Sequence, residues 1–335
     1  MTVTTVMSAD IPARVSKLCR EGGLQPAPSH AIELLMLATQ TFSGLDGLVA
    51  LECHPQGSDR IDLVVRLDHE GVRRLLDRGG QSPLHEHESR IALSFLTGWL
   101  NPAGPLAKIP FVELEYDLLD HVPAPWIGPA IDGNGRHRGH LDHASTRDTV
   151  FAVLDALAPG WRSTPLFTHL ARMLDVLACH HGRVTHSTAL TVRPNAPSPG
   201  VRAIVSVGRH CLLAFLRELA WPGDLTRVAD EDRRLCAYQP VIDFDLDITE
   251  SGPTPKMALY RGFLGPHASD EELRHVLASL HHRGLLTSER HAAAREWIAC
   301  ISGRSDRALS IKLGWSGDSE ASVKLYFESI PEGSC

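Results

Sequence analysis

The stretch that decides the fold is Ala308-Leu-Ser-Ile-Lys-Leu-Gly-Trp315, followed by the turn Ser316-Gly-Asp-Ser-Glu320 and by Ala321-Ser-Val-Lys-Leu-Tyr-Phe-Glu-Ser-Ile330. Two segments of alternating apolar and polar residues around a turn rich in serine, glycine and aspartate predict a β-hairpin. Successive side chains of a strand point to opposite faces. One face of this hairpin is therefore continuously apolar, and it carries Leu309, Ile311, Leu313, Trp315, Val323, Leu325 and Phe327.

The opposite face of the hairpin is polar and carries Lys312, Lys324 and Tyr326 among small side chains. A half-buried sheet with one hydrated face shows the same alternation. The hairpin by itself therefore leaves open whether these three residues face solvent or a cavity. The arrangement of the remaining strands has to decide between the two.

Four further strand pairs are predicted upstream: Leu48–His54 with Arg60–Asp68, Pro110–Leu118 with Ala124–Ile131, Thr185–Arg193 with Val201–Val207, and Val241–Ile248 with Lys256–Phe263. Apolar residues at three- and four-residue spacing predict two helices before each pair. These helices are Ala13–Cys19 and Ser29–Gln40, Glu70–Asp77 and His85–Leu100, Ser145–Leu157 and Thr164–His180, His210–Leu219 and Asp224–Cys236, and Ser269–Arg283 and Ser288–Ile301. The unit recurs five times, at a period of roughly 60 to 75 residues.

Five hairpins supply ten antiparallel strands, and an open sheet of that size would leave a wide polar face and two free edges. Closing the strands into a barrel removes the edges. The predicted fold class is α+β, a ten-stranded antiparallel β-barrel of five helix-helix-strand-strand repeats with the helices outside, in a single domain spanning 1–335. A barrel of ten strands is too wide to be filled by aliphatic side chains, so it should enclose a polar cavity of ligand size.

The composition excludes several classes of function. A net charge of −7 and a pI of about 6.2 give no basic surface for nucleic acid. No segment reaches the ~20 apolar residues of a membrane span, and the first residues do not form a signal peptide, so a cytoplasmic protein without membrane partners is expected. The seven cysteines contain no C-x-x-C pair, which argues against a zinc site or a disulfide framework.

With the apolar faces directed outward, the barrel lumen receives a set of basic residues and tyrosines: Arg66, Arg202, Lys256, Tyr260, Lys312, Lys324 and Tyr326. A set of carboxylates would face the same cavity: Glu52, Glu113, Glu115, Asp117, Asp243, Asp245 and Asp247. The cations either form an anion-binding cluster or pair with these acids, and both interpretations stay open at this point.

The five helix-helix-strand-strand units, together with the Lys-x-Tyr strand Val323-Lys-Leu-Tyr-Phe327, with Lys256-Met-Ala-Leu-Tyr260 and with Ile311-Lys312, resemble the ABBA prenyltransferases. That resemblance implies transfer of an allylic prenyl group from its diphosphate to an aromatic or peptide side-chain acceptor in secondary metabolism. Phe244-Asp-Leu-Asp247 and Ala321-Ser-Val-Lys-Leu-Tyr326 are also similar to segments of uncharacterised bacterial proteins that accompany enzymes of peptide natural products.

The resemblance implies a role for each polar group of the lumen. Arginine can bind phosphoryl oxygens through two N–H groups, lysine acts as a point charge, and the tyrosine ring can stabilise an allylic cation. The seven basic and tyrosine residues of the lumen are therefore candidates for binding the diphosphate and shielding the cation. The resemblance further implies that Glu52 accepts a proton from the aromatic acceptor.

No cofactor is required by this mechanism, although an Mg²⁺ ion could accompany the diphosphate. Asp243, Asp245 and Asp247 are weak candidates for holding such an ion, or for a metal-dependent hydrolase. A hydrated polar face or ion pairs with neighbouring lysines explain the same three aspartates. The histidines of His137-x-x-His140-x-x-His143 are interpreted as surface residues, because the loop spacing defines no metal geometry.

Two departures from the family keep a second function open. The chain has four tyrosines, whereas the family often shields its carbocation with several, and the lumen is acidic. The alternative is a noncatalytic or differently catalytic barrel that binds a peptide during natural-product maturation. The strand faces also predict that Leu325→Ala is destabilising, whereas Lys324→Ala leaves stability nearly unchanged and weakens anion binding.

Overall fold

The computed structural model describes residues 10–21, 29–54, 60–78, 90–118, 121–122, 125–131, 142–189, 200–236, 239–264, 270–301 and 306–330. Within these residues two α-helices followed by two strands occur five times. The helices are α1 (Ile11–Glu21), α2 (Ser29–Gln40), α3 (His69–Asp77), α4 (Arg90–Trp99), α5 (His143–Leu157), α6 (Pro165–Cys179), α7 (Leu212–Glu218), α8 (Leu225–Leu235), α9 (Asp270–His282) and α10 (Ser288–Ile301). The strands are β1 (Leu48–Cys53), β2 (Ile61–Leu67), β3 (Val112–Tyr116), β4 (Trp126–Pro129), β5 (Arg183–Ala189), β6 (Gly200–Gly208), β7 (Val241–Thr249), β8 (Gly252–Leu264), β9 (Arg307–Ser316) and β10 (Ser322–Ser329).

All ten strands belong to one antiparallel sheet in the order β4-β3-β2-β1-β10-β9-β8-β7-β6-β5. The two outermost strands approach each other and nearly close the sheet. Ile131 N donates to Thr185 O at 2.8 Å, and Thr188 Oγ1 donates to Ile127 O at 2.7 Å. The predicted ten-stranded barrel is confirmed, and the proline-containing strand β4 is short and lies at the seam, since proline cannot donate to a ladder.

The apolar faces of the strands lie under the helices, as predicted. The ring of Trp297 on α10 packs edge-on against Phe327 of β10 at 5.6 Å, and Phe215 on α7 packs against Phe244 of β7 at 5.9 Å. Leu325 and Ile311 are directly opposite each other in the β9–β10 pair and are buried in the same core. Burying such a side chain stabilises the fold by ~1.5–3 kcal/mol. The burial of apolar side chains therefore decides which face of each strand points outward.

Two element boundaries differ from the sequence prediction for local reasons. Helix α1 begins at Ile11, two residues before the predicted start, because Asp10 Oδ1 accepts a hydrogen bond from Ala13 N at 3.1 Å and caps the helix. Helix α4 is described from Arg90, and the predicted start at His85 lies outside the described residues. The same applies to His137, His140, Tyr238 and Ser269.

Among the described helices, none is long and apolar enough to cross a membrane.

Candidate active site in the barrel lumen

The inner faces of four adjacent strands, β8, β9, β10 and β1, form one continuous wall of the lumen. Antiparallel register places Tyr260 directly opposite Lys312, Lys312 opposite Lys324, and Tyr326 opposite Glu52. Directly opposite side chains in a sheet lie close enough to interact. Residues from distant parts of the chain are therefore brought together in a row across the wall.

A cavity of about 290 Å³ lies against this wall. Lys256, Lys312 and Lys324 all line it, together with Arg202 and Asp245. The small residues Ala258, Gly314 and Ser322 also line the cavity. Their short side chains leave the space that larger residues at these inward positions would fill.

Asp245 is the centre of one polar group in the cavity. Its Oδ2 is 2.8 Å from Lys312 Nζ, and its Oδ1 accepts a hydrogen bond from the Tyr260 hydroxyl at 2.8 Å. Burial acts to raise the pKa of Asp245, but the charges of Lys312 and Arg202 outweigh it and lower the pKa to about 2. Burial and the Asp245 charge raise the pKa of Tyr260 well above its ordinary value. Asp245 is therefore ionised and Tyr260 is a neutral hydrogen-bond donor at neutral pH.

Arg202 is paired with Asp247 through two hydrogen bonds, from Nε to Oδ1 and from Nη2 to Oδ2, each 2.7 Å long. Lys256 Nζ lies 3.7 Å from Asp247 Oδ2, and its side chain is 47% exposed. Burial and the charge of Arg202 lower the pKa of Lys256 below its ordinary value. Lys256 is thus the least tightly paired of the three cavity lysines.

Glu52 and Lys324 form the next ion pair along the wall, between Oε1 and Nζ. Glu52 is 1% exposed. Burial acts to raise its pKa, but the Lys324 charge, with contributions from His54 and Lys312, lowers the pKa below the ordinary range. Burial together with the Glu52 charge raises the pKa of Tyr326 well above its ordinary value. Glu52 is therefore a charged carboxylate beside an un-ionised phenol.

Arg66 lies in the lumen but is not among the residues that line this cavity. Its Nε donates to Glu113 Oε1 at 3.0 Å, and its guanidinium lies 4.2 Å from the ring centre of Phe111. His186 Nε2 is 3.6 Å from the same Glu113 oxygen. Arg66 is therefore separate from the four basic residues that line the cavity. Tyr260 and Tyr326 are not in the lining either, but Tyr260 contacts Asp245 and Lys312, which are.

The aspartates of β7 do not fit a metal site in this arrangement. The oxygens of Asp245 and Asp247 contact Arg202, Tyr260 and Lys312, and Asp243 is opposite Tyr260 in the β7–β8 pair. Among the described residues, the ligand-type atoms that do converge belong to Glu52, His54 and Asp62. These contacts agree with the interpretation of Asp245 and Asp247 as ion-pair partners.

Sequence reasoning did not select His54 and Asp62. His54 lies two residues after Glu52 and hence on the same face, and Asp62 is directly opposite Glu52 in the β1–β2 pair. The spacing Glu52-x-His54 together with an inward aspartate on the next strand was the signal available in the sequence.

Comparison with known proteins matches the fold but not the sequence. No protein-family model matches the chain, and no curated protein matches it. The 5-dimethylallyl tryptophan synthase from Streptomyces coelicolor, in complex with DMASPP and Trp, is 15% identical with a TM-score of 0.57, over 96% of this chain and 95% of that chain. The prenyltransferase PriB, in a ternary complex with L-tryptophan and dimethylallyl thiolodiphosphate, is 15% identical with a TM-score of 0.55, over 97% and 98%.

A third solved structure, AnaPT from Neosartorya fischeri, is 10% identical with a TM-score of 0.54, over 86% of this chain and 80% of that chain. These similarities extend over most of each chain. The chain therefore has the fold of the ABBA-type aromatic prenyltransferases, as its resemblance in sequence implied.

Proposed function

We propose that this protein is a prenyltransferase that moves an allylic prenyl group from its diphosphate to an aromatic acceptor. The observation that carries the proposal is the concentration of lysines in the cavity of an ABBA barrel. The chain contains five lysines, and three of them, Lys256, Lys312 and Lys324, line one cavity of about 290 Å³. Placing three ammonium groups around one cavity is unfavourable, because like charges repel each other and Lys312 is also largely buried. This arrangement is therefore better explained by an anionic ligand than by folding.

The ion pairs of the cavity leave donors for phosphoryl oxygens. An ammonium group has three N–H donors, and the cavity lysines each have one carboxylate partner at 4 Å or closer among the described residues. Arg202 uses Nε and Nη2 for Asp247, which leaves its Nη1 donors. A diphosphate entering the cavity would share these cations with Asp245, Asp247 and Glu52.

The tyrosines support the second half of the reaction, in which positive charge develops on the prenyl group. Lys312 Nζ lies 4.8 Å from the ring centre of Tyr260, so the face of this ring already lies against one positive charge at the cavity. Aromatic faces stabilise cations by ~0.5–2 kcal/mol. Tyr260 and Tyr326 would therefore shield the allylic cation while the lysines hold the leaving diphosphate.

Glu52 is the residue proposed to accept the proton that the aromatic acceptor loses. It is charged at neutral pH and buried beside Lys324. If Lys324 is drawn toward the diphosphate, Glu52 loses part of its compensating charge and becomes a stronger base. The proposed chemistry requires no cofactor, although an Mg²⁺ ion could accompany the diphosphate. The cavity volume lies near the lower end of the ~300–1,000 Å³ of ligand pockets, which favours the short dimethylallyl chain and a small aromatic acceptor over a peptide.

The test is product formation from dimethylallyl diphosphate and L-tryptophan, followed by mass spectrometry. Replacing both Lys312 and Lys324 by alanine should lower kcat/KM by at least ~10²-fold, since a contact aimed at developing charge contributes ~10²–10³-fold. The matched control removes the two lysines outside the cavity, Lys17→Ala with Lys108→Ala, and should retain activity. Binding of dimethylallyl, geranyl or farnesyl diphosphate that is unchanged in the Lys312/Lys324 variant would contradict the proposal.

A second candidate function is a binding barrel for a basic peptide or an amine, without prenyl transfer. The observation that favours it is the pairing of Lys312, Lys324 and Arg202 with buried carboxylates. A ligand that binds only the native state raises the melting temperature. The binding barrel would be stabilised by a basic precursor peptide and not by any prenyl diphosphate, whereas the prenyltransferase would show the opposite pattern.

A further inference from the structure

The turn between β9 and β10 forms part of the mouth of the lysine cavity. Ser316, Ser319 and Glu320 of this turn line the cavity and are exposed to solvent. Lys256 lies on the same side, directly opposite Ser316 in the β8–β9 pair, and its side chain is 47% exposed. The position of the turn therefore sets how far solvent reaches the cavity beside Lys256.

Hydrogen bonds within the turn fix its local shape. Ser319 N donates to Ser316 O at 3.0 Å, and Ser316 N donates to Ser319 Oγ at 2.9 Å. Gly317 has a φ of +54°, which glycine adopts without strain. Its N–H reaches Pro255 O of β8 only at 3.5 Å, which is long for a hydrogen bond. These bonds shape the turn, but they hold it only weakly to the rest of the barrel.

Arg227 on α8 anchors the turn from outside the sheet. Its Nη1 donates to Gly317 O at 3.0 Å and to Ser319 O at 2.8 Å. Its Cζ lies 5.2 Å from the ring centre of Trp315, the residue directly before the turn, which is within the range of a cation–π contact. Arg227 is not in the described lining of the cavity. It therefore acts on the cavity through the backbone of the turn.

We infer that Arg227 is a positioning residue that fixes the β9–β10 turn as the rim of the cavity and so keeps water from the prenyl group. The inference rests on the proposed prenyl transfer. Water at the allylic carbon would form a C–O bond there while the bond to the diphosphate breaks, and it would lose one proton to solvent. The products would be the allylic alcohol and diphosphate. Excluding water from a site prevents side reactions of this kind.

The experiment measures both products, prenylated tryptophan and the allylic alcohol, in the full-length protein and in Arg227→Met. We expect the ratio of prenylated product to alcohol to fall by ~10-fold or more, since a displacement of about 1 Å can cost ~10²-fold. Total consumption of dimethylallyl diphosphate should change little, whereas a residue that only stabilised the fold would lower both products together. Arg227→Lys should restore most of the ratio, because one ammonium can donate to both carbonyls, as Nη1 does.

Two other arginines provide matched controls. Arg78→Met removes an arginine that donates to two carbonyls, Thr41 O and Ser43 O, in a different turn. Arg233→Met removes a positive charge from an exposed position of α8. Neither arginine is in the described lining of the cavity. Both variants should keep the product ratio of the unmodified protein, and a fall in either that equals the fall in Arg227→Met would overturn the inference.

A second measurement tests the anchoring without catalysis. A glutamate-specific protease cleaves after Glu320 only when the turn opens locally, and mass spectrometry identifies the cut. Cleavage should be about fivefold faster or more in Arg227→Met, the effect of losing one hydrogen bond, and unchanged in the two controls. An unchanged cleavage rate or an unchanged product ratio in Arg227→Met would overturn the inference. If the unmodified protein forms no prenylated product, the proposed function fails, whereas the cleavage rate still decides whether Arg227 anchors the turn.

Discussion

The two faces of the β9–β10 hairpin share the same strands and the same register but are stabilised in different ways. On the outer face, Ile311 and Leu325 are directly opposite each other and are buried under helices. On the inner face, Lys312 and Lys324 are directly opposite each other and each contacts a buried carboxylate on another strand. The outer face needs only apolar side chains of suitable size, whereas the inner face depends on particular partners.

The two inner lysines also differ from each other. Burial lowers the pKa of Lys312, and the charges of Lys324 and Arg202 lower it further against the effect of Asp245. Burial opposes ionisation of Lys324 as well, but the charges of Glu52 and Glu115 raise its pKa above the ordinary value. Identical residues at paired positions therefore acquire pKa shifts of opposite sign, because the carboxylates that face them lie on different strands outside the hairpin.

The largest expected effect comes from the outer face. Leu325→Ala removes a buried side chain from the core and should lower the free energy of unfolding by ~2–5 kcal/mol. Urea denaturation at neutral pH measures this loss. Ser322→Ala, an exposed position on the same strand, is the control and should change stability little. A loss below about 1 kcal/mol in Leu325→Ala would mean that the helices do not cover this face.

The next effect concerns the inner face, where the structure replaces the expectation that Lys324→Ala leaves stability nearly unchanged. This substitution would leave the buried carboxylate of Glu52 without its ammonium partner. Breaking a buried pair costs ~3–5 kcal/mol, and we expect the lower end because His54 still contacts Glu52. The double variant with Glu52→Gln should recover part of the loss. Denaturation curves of the two single variants and the double variant give the coupling energy, and a coupling of zero would show that the pair contributes nothing.

Asp245 provides a smaller, pH-dependent effect. Its pKa is about 2 in the folded protein against 3.8 for an ordinary aspartate, so the folded state binds fewer protons than the unfolded state. The ionised Asp245 therefore contributes about 2 kcal/mol to the free energy of unfolding. This contribution is complete above the ordinary pKa of 3.8 and is lost as the pH falls toward the folded-state pKa of about 2. The measured quantity is the slope of unfolding free energy against pH. Asp245→Asn should have a shallower slope than the unmodified protein in this range, and equal slopes would contradict the assignment.

The smallest expected effect has the opposite sign. Burial raises the pKa of Glu328, although Ser310 Oγ donates a hydrogen bond to it. The folded state therefore binds the proton more tightly than the unfolded state, and stability falls as the pH rises past the ordinary glutamate value. Glu328→Gln should be more stable than the unmodified protein at pH 7, by about 1 kcal/mol or less. Melting curves at pH 4 and pH 7 test this, because the advantage should disappear at the lower pH.

The strands and their faces could be predicted from the sequence to within a few residues. The predicted strand from Ala308 to Trp315 is β9, Arg307–Ser316, and the predicted return strand is β10, Ser322–Ser329. The inward direction of Lys312 and Lys324 could be predicted because apolar residues alternate with each lysine along its strand and must face the helices. Their partners did not, since Lys324 and Glu52 are 272 positions apart in the chain. The convergence of His54 and Asp62 with Glu52 depends on the exact register of the β1–β2 pair, which places Asp62 opposite Glu52.

The sequence by itself determined the repeated unit of two helices and two strands, the ten-stranded barrel and the side of each strand that faces the lumen. These features depend on the alternation of side chains along a strand and on the burial of apolar surface, which are local or additive along the chain. Only the tertiary structure decided which carboxylate pairs with which cation, that Arg66 is separate from the cavity, and how far each pKa is shifted. Those properties depend on distances of a few ångströms between strands that are far apart in sequence, because electrostatic interactions change steeply with separation and burial.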